Sequence, residues 1–159
     1  MGYALLPFAL LMVLVGLRFE YSQLDSTVPG AGVAGQMDAR AAVVAEQIEM
    51  YGPACGTAAL AAPGLISAAL LPSLPPGANV PPQANCMTTT NPSGGRLVYA
   101  YMPGVAGAAG NVISDTQSDA AWYSVSARGE ATSLTGGAPI TVPAVIPVGA
   151  IVDSIAVNP

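Results

Sequence analysis

Residues 3 to 17 of this 159-residue chain carry no charge, and Arg18 follows them directly. A run this apolar has to leave water, and it occurs once. At 1.5 Å per residue, 15 to 17 helical residues reach roughly 22 to 26 Å, against a hydrocarbon core of about 30 Å. Local thinning and interfacial aromatics make up such a shortfall, and Tyr3, Phe19 and Tyr21 stand where those aromatics belong. The run therefore reads as a membrane anchor built on Tyr3, Leu5, Leu6, Phe8, Leu10, Leu11, Met12, Val13, Leu14, Val15 and Leu17. A cleaved signal peptide is the rival reading. It needs a basic stretch before the run and a small-residue cleavage site, and Gly16-Leu17-Arg18-Phe19-Glu20 is a poor one. A buried core helix is the third reading. Arg18 alone is too little charge to set the orientation.

The cysteines decide the compartment. Cys55 and Cys86 are the only two, and there is no histidine, so a four-ligand structural zinc site has too few ligands. A disulfide is the simpler use. It closes a loop of about 30 residues, worth roughly 3 to 4 kcal/mol in the chain-entropy account. Six prolines between Gly56 and Asn85 leave that loop little core of its own. A cystine implies an extracytoplasmic domain.

Three parts follow: an anchor over 1–20, a linker over 21–35, and one α+β domain over 36–159. One amphipathic helix is predicted from Gln36 to Tyr51, with Met37, Ala41, Val44, Ile48 and Tyr51 as its packing face, stopped by Gly52-Pro53. A poorer helix is read within Gly56–Leu71, and an extended Pro- and Asn-rich connection from Pro72 to Pro92. The remainder is a small antiparallel sheet. Its strands are Arg96–Met102, Ala121–Ala127, Ala131–Leu134, an irregular Ile140–Ile146, and Ala150–Val157. Pro103–Gly110 reads as a Gly-rich loop.

Chemistry is hard to find. Gly30-Ala31-Gly32-Val33-Ala34-Gly35 has dinucleotide-loop spacing, but no strand precedes it, so it reads as a flexible tether. Asp115 and Asp119, among Ser114, Thr116 and Ser118, offer oxygens without EF-hand spacing and read as a solvated loop. Glu46 and Glu49 read as a wet helix face. Without histidine there is no Ser-His-Asp or Cys-His pair. Trp122 and Tyr123 are candidate interface anchors, with core packing as the plainer alternative. The net charge of −5, with four scattered Arg and no Lys, excludes a phosphate-backbone partner. Charged residues make up 8% of the chain, which gives little protection against association. The chain is thus expected to bind proteins rather than to act as an enzyme, with no cofactor, metal, nucleic acid or small-molecule substrate.

The C-terminal block Trp122-Tyr123 … Thr141-Val142-Pro143-Ala144-Val145-Ile146-Pro147-Val148-Gly149-Ala150-Ile151-Val152 adds a resemblance. With the short leaderless hydrophobic start, it resembles the PilM family of small inner-membrane proteins from conjugative thin-pilus (type IVb) systems. That PilM is distinct from the actin-like protein of the same name. The Pro-x-x-Ile-Pro-x-Gly-x-Ile-Val pattern is its most specific part. The resemblance implies a single-pass component of pilus biogenesis in the bacterial inner membrane, its C-terminal domain in the periplasm. Its partners would be other pilus-assembly proteins or pilin, or further copies of itself. Two alternatives stand beside it: a minor pilin-like filament subunit, and a secreted domain freed by signal-peptide removal.

Overall fold

The computed structural model describes residues 32–157 and the single residue Met12. The remaining anchor residues lie outside the described part. Among the described residues, no helix is long and apolar enough to cross a membrane. Two compact units divide at Ala39. In the first, Val33 and Met37 are exposed helical residues. The second, from Arg40 onward, holds the sheet and both cores.

The chain folds as α+β. Helix α1 (Val33–Ala61) is followed by β1 (Ser67–Leu70), β2 (Asn85–Thr90), β3 (Arg96–Pro103), α2 (Ala108–Asp115), β4 (Trp122–Ala127), β5 (Glu130–Ser133), β6 (Ile140–Thr141) and β7 (Ala150–Val157). The seven strands form one sheet in the order β1-β2-β3-β7-β4-β5-β6, antiparallel at every pairing. The last strand lies in the middle. It pairs with β3 over eight residues, from Arg96↔Val157 to Pro103↔Ala150, and with β4 from Trp122↔Asp153 to Ser124↔Ile151.

Period-two alternation sorts the side chains onto two faces. Val98, Ala100 and Met102 of β3, Ile151 and Val157 of β7, Cys86 of β2 and Trp122 of β4 pack with α1 and α2. Leu97, Tyr99 and Tyr101 point the other way, into a second core with Met87, Val125, Ala131 and Val152. Residues 142–149 cover that second core with Val142 and Ile146, both buried. Two successive turns shape this cover: the Ile146 amide donates to Pro143 (3.0 Å) and the Ala150 amide to Pro147 (3.2 Å). Gly149 takes the left-handed φ of 84° that leads into β7. The Pro-x-x-Ile-Pro-x-Gly spacing therefore has a packing reason, a single buried Ile between two turns.

Four expectations need correction. Gly52-Pro53 does not end the first helix, which runs on to Ala61 with Pro53 inside it. Pro53 is exposed, and the Thr57 hydroxyl donates to its carbonyl at 2.9 Å. Gly52 is instead a contact point, since a Cβ there would lie 2.5 Å from Asp153 Oδ2. The packing face is also shifted. Ala41, Ile48 and Tyr51 are buried and Val44 packs at the margin, but Met37 is 53% exposed. The buried line is Ala41, Ala45, Ile48, Gly52, Cys55 and Ala59, mostly small side chains that let the helix approach the sheet closely. Third, Gly56–Leu71 is the end of α1 followed by edge strand β1, and Pro72–Pro92 contains β2, held by six register pairs to β3. Fourth, Ala108–Asp115 within and after the Gly-rich stretch forms α2, and Val33 to Gly35 of the supposed linker are already helical.

The C-terminus of α1 is capped from the sheet. Arg96 is 4% exposed, and its guanidinium donates to the carbonyls of Ala59 (3.0 Å), Ala62 (3.0 Å) and Leu65 (3.1 Å). A cation at this end also meets the negative pole of the helix. Arg96→Met keeps the aliphatic stem and removes three charge-assisted hydrogen bonds, although the Leu65 amide still reaches Ala62 and the Thr88 hydroxyl still reaches Leu65. The expected loss is about 2 to 4 kcal/mol in urea unfolding, with helix signal lost first.

Candidate functional site

Cys55 and Cys86 are joined, with Cα atoms 5.6 Å apart, and both are fully buried. The bond ties α1 to β2 through the core rather than stapling a surface loop. Trp122 is 4% exposed and belongs to the helix-side core, whereas Tyr123 is half-buried on the opposite face. They point to opposite sides of β4 and make no joint anchor.

The most distinctive site is a cavity of about 420 Å³ beside Trp122. Helix α1 supplies Glu49 and Pro53, the segment after α2 supplies Thr116, Asp119 and Ala121, β4 supplies Trp122, and β7 supplies Asp153 and Ile155. Each is placed by local chemistry. Asp153 and Trp122 are register partners on adjacent central strands, so both point to the helix side. Thr116 caps the C-terminus of α2, and then Gln117 and Ser118 adopt left-handed φ values of 55° and 65°. Two such residues in succession are uncommon outside glycine. They are held by the Ser118 amide donating to Ile113 (2.9 Å) and the Asp119 amide to Thr116 (3.2 Å). The chain is thereby turned back toward the sheet. The Ala121 amide donates to Asp119 Oδ1 at 3.1 Å, and the Ser154 amide to the Ala121 carbonyl at 2.9 Å.

Asp153 is 4% exposed, with Oδ2 pressed against Gly52. Burial, then the nearby Asp119 carboxylate, pushes its pKa up to about 7. Glu49 is raised too, first by burial and then by Asp115 and Glu46, and its Oε1 is buried without a hydrogen-bond partner. Glu46 is exposed as the solvated helix face predicts, whereas Glu49 is half-buried, with one oxygen turned away from solvent. Asp115 and Asp119 are exposed, as a solvated loop predicts, and act electrostatically on this pair. Among the described residues, no three His, Cys, Asp or Glu side chains are arranged to hold a metal ion. Asp153 was missed in the sequence, although a visible signal existed: one acid inside the apolar strand Ala150-Ile151-Val152-Asp153-Ser154-Ile155-Ala156-Val157. What made it stand out only in the structure is its partnerless burial.

The raised pKa carries a stability sign. Below Asp153's ordinary value of 3.8, folded and unfolded chains are both protonated and the residue is neutral in its effect. As pH rises from there to about 7, the unfolded chain ionises first, so stability falls; above about 7 the loss is constant. Asp153→Asn removes that cost. It is expected to be more stable than the parent by about 2 to 4 kcal/mol at alkaline pH, the gap closing toward pH about 4, as read by urea unfolding across pH. No family model, curated protein or solved structure matches the chain.

Proposed function

We propose that the protein is a non-catalytic component of a type IVb or conjugative pilus biogenesis apparatus, anchored in the inner membrane through residues 1–20 and binding other assembly proteins with its periplasmic domain. The observation that carries this reading is the buried Cys55–Cys86 bond, built into the core between α1 and β2. A bond so placed belongs to an oxidising compartment, which agrees with an anchor that delivers the domain across the membrane. Support for binding comes from the surface. Leu60, Leu65, Ile66, Leu71 and Val80 are all about half exposed or more, with Leu71 at 92%, in the stretch around edge strand β1. Aliphatic side chains in this number, on a chain with so few charges, suit a docking surface.

A filament subunit is the second reading. It is favoured by the 29-residue helix that starts shortly after the apolar run and lies against an antiparallel sheet.

The test combines three measurements in the native host. Mass spectrometry is expected to find residues 1–20 retained, in the inner-membrane fraction. Alkylation without reduction is expected to label neither cysteine. A photo-crosslinker at Leu71 is expected to capture a pilus-assembly protein. Recovery in sheared filaments favours the subunit reading, loss of residues 1–20 favours the secreted domain, and cytosolic protein with both thiols labelled overturns all three.

A further inference from the structure

The cavity beside Trp122 combines features that call for a specific chemistry. Its acidic side chains arrive from three separate elements: Glu49 from α1, Asp119 from the segment after α2, and Asp153 from β7. Among the described residues, no basic side chain lines it. Asp153 is more than nine-tenths buried, opens into the cavity, and accepts no hydrogen bond from any described residue. Glu49 Oε1 is likewise buried and partnerless. Asp119 is exposed and Glu49 half-buried, so the cost of leaving water falls on Asp153, and an incoming group that supplies donors offsets it.

The geometry narrows what that group is. The acids do not form a metal-ligand set, and about 420 Å³ is far more than one ion needs. Trp122 borders the cavity with the small part of it left exposed (4%), and Ile155 with Pro53 adds apolar surface. A planar cation on an aliphatic stem matches this: its several N–H donors reach carboxylates in different directions, and its stem lies on the apolar wall. An ammonium concentrates its donors at one point and holds its water more tightly.

We propose that this cavity is a receptor for an arginine side chain presented by a partner protein. This deepens the binding function proposed above by naming one chemical feature of the partner. The chain's own described arginines leave the cavity vacant of any basic lining: Arg96 caps α1, and Arg40 and Arg128 are exposed and do not line the cavity. Binding is linked to pH, because the titratable residues that line the cavity, Glu49, Asp119 and Asp153, are acids. The Asp119 carboxylate acts on Asp153, and those of Asp115 and Glu46 act on Glu49. Protonation of Asp153 and Glu49 removes the attraction.

Trp122 is the sole tryptophan and reports directly on occupancy. Full-length protein in a non-ionic detergent is titrated with N-acetyl-arginine amide at pH about 8, with N-acetyl-citrulline amide as the neutral isostere. The expected result is a saturable change in Trp122 emission, with citrulline at least about tenfold weaker. Asp153→Asn and Glu49→Gln, each with unchanged far-UV circular dichroism, are expected to weaken the arginine response about tenfold, as is lowering the pH to about 5. Absence of an arginine response, an equal response to citrulline, or full binding by both variants overturns the proposal. The two readings fail separately. A partner still captured at Leu71 with no arginine response sinks only the receptor, and a specific arginine response without any pilus partner sinks only the pilus assignment.

Discussion

The close approach of α1 to the sheet is the contact on which the other features depend. Ala41, Ala45, Gly52, Gly56 and Ala59 place little side chain between the helix and the strands beneath it. That proximity brings Cys55 within bonding distance of Cys86, lets the carbonyls of the last helical turn reach Arg96, and brings the backbone at Gly52 against Asp153. Ile48 and Tyr51 supply most of the apolar volume, each worth roughly 1.5 to 3 kcal/mol of burial. The small residues contribute by geometry. A larger side chain at Gly52 would move the helix off β7 and open the structure where three acids converge.

The two faces of the sheet are used differently. One is covered by helices and carries the cystine, the buried tryptophan and the acidic cavity. The other is covered by eight residues of irregular chain, closed by two turns around Ile146. Because β7 is central, its register with β3 and β4 transmits the position of either cover to the other. Asp153 and Val152 are adjacent in sequence, yet they serve opposite faces. A strand bearing an acid at its centre gives up stability at neutral pH. An arginine entering the cavity would return part of that loss.

Much of the β half was legible from alternation. Ala150–Val157 forms the strand expected of it, and the split of Leu97, Tyr99 and Tyr101 from Val98, Ala100 and Met102 is the split observed. Strands at 85–90 and 67–70 were not legible. Their flanking prolines and short Thr- or Ala-rich runs carry no period, and their extended form comes from pairing with β3 and with each other. The helix face was half legible. Large apolar residues drew attention to Met37 and Val44, whereas the core line runs through alanine, glycine and cysteine, whose small size is informative only once a partner surface is known. Pro53 misled for a related reason. A proline ends a helix in isolation, but tertiary contacts on both sides of it hold this one in register.

From composition and order alone came the apolar beginning, the single cystine, the succession of helix and then antiparallel strands, and the scarcity of charge. These follow from local physics: hydropathy, periodicity and the chemistry of two thiols without histidine. Folding alone decided that Glu49, Asp119 and Asp153, as many as 104 positions apart (153 − 49), meet beside Trp122. The burial of Asp153 and the approach of the other two depend on strand order and on a helix that passes straight through its proline, and both are set by long-range packing that no local stretch of the chain encodes.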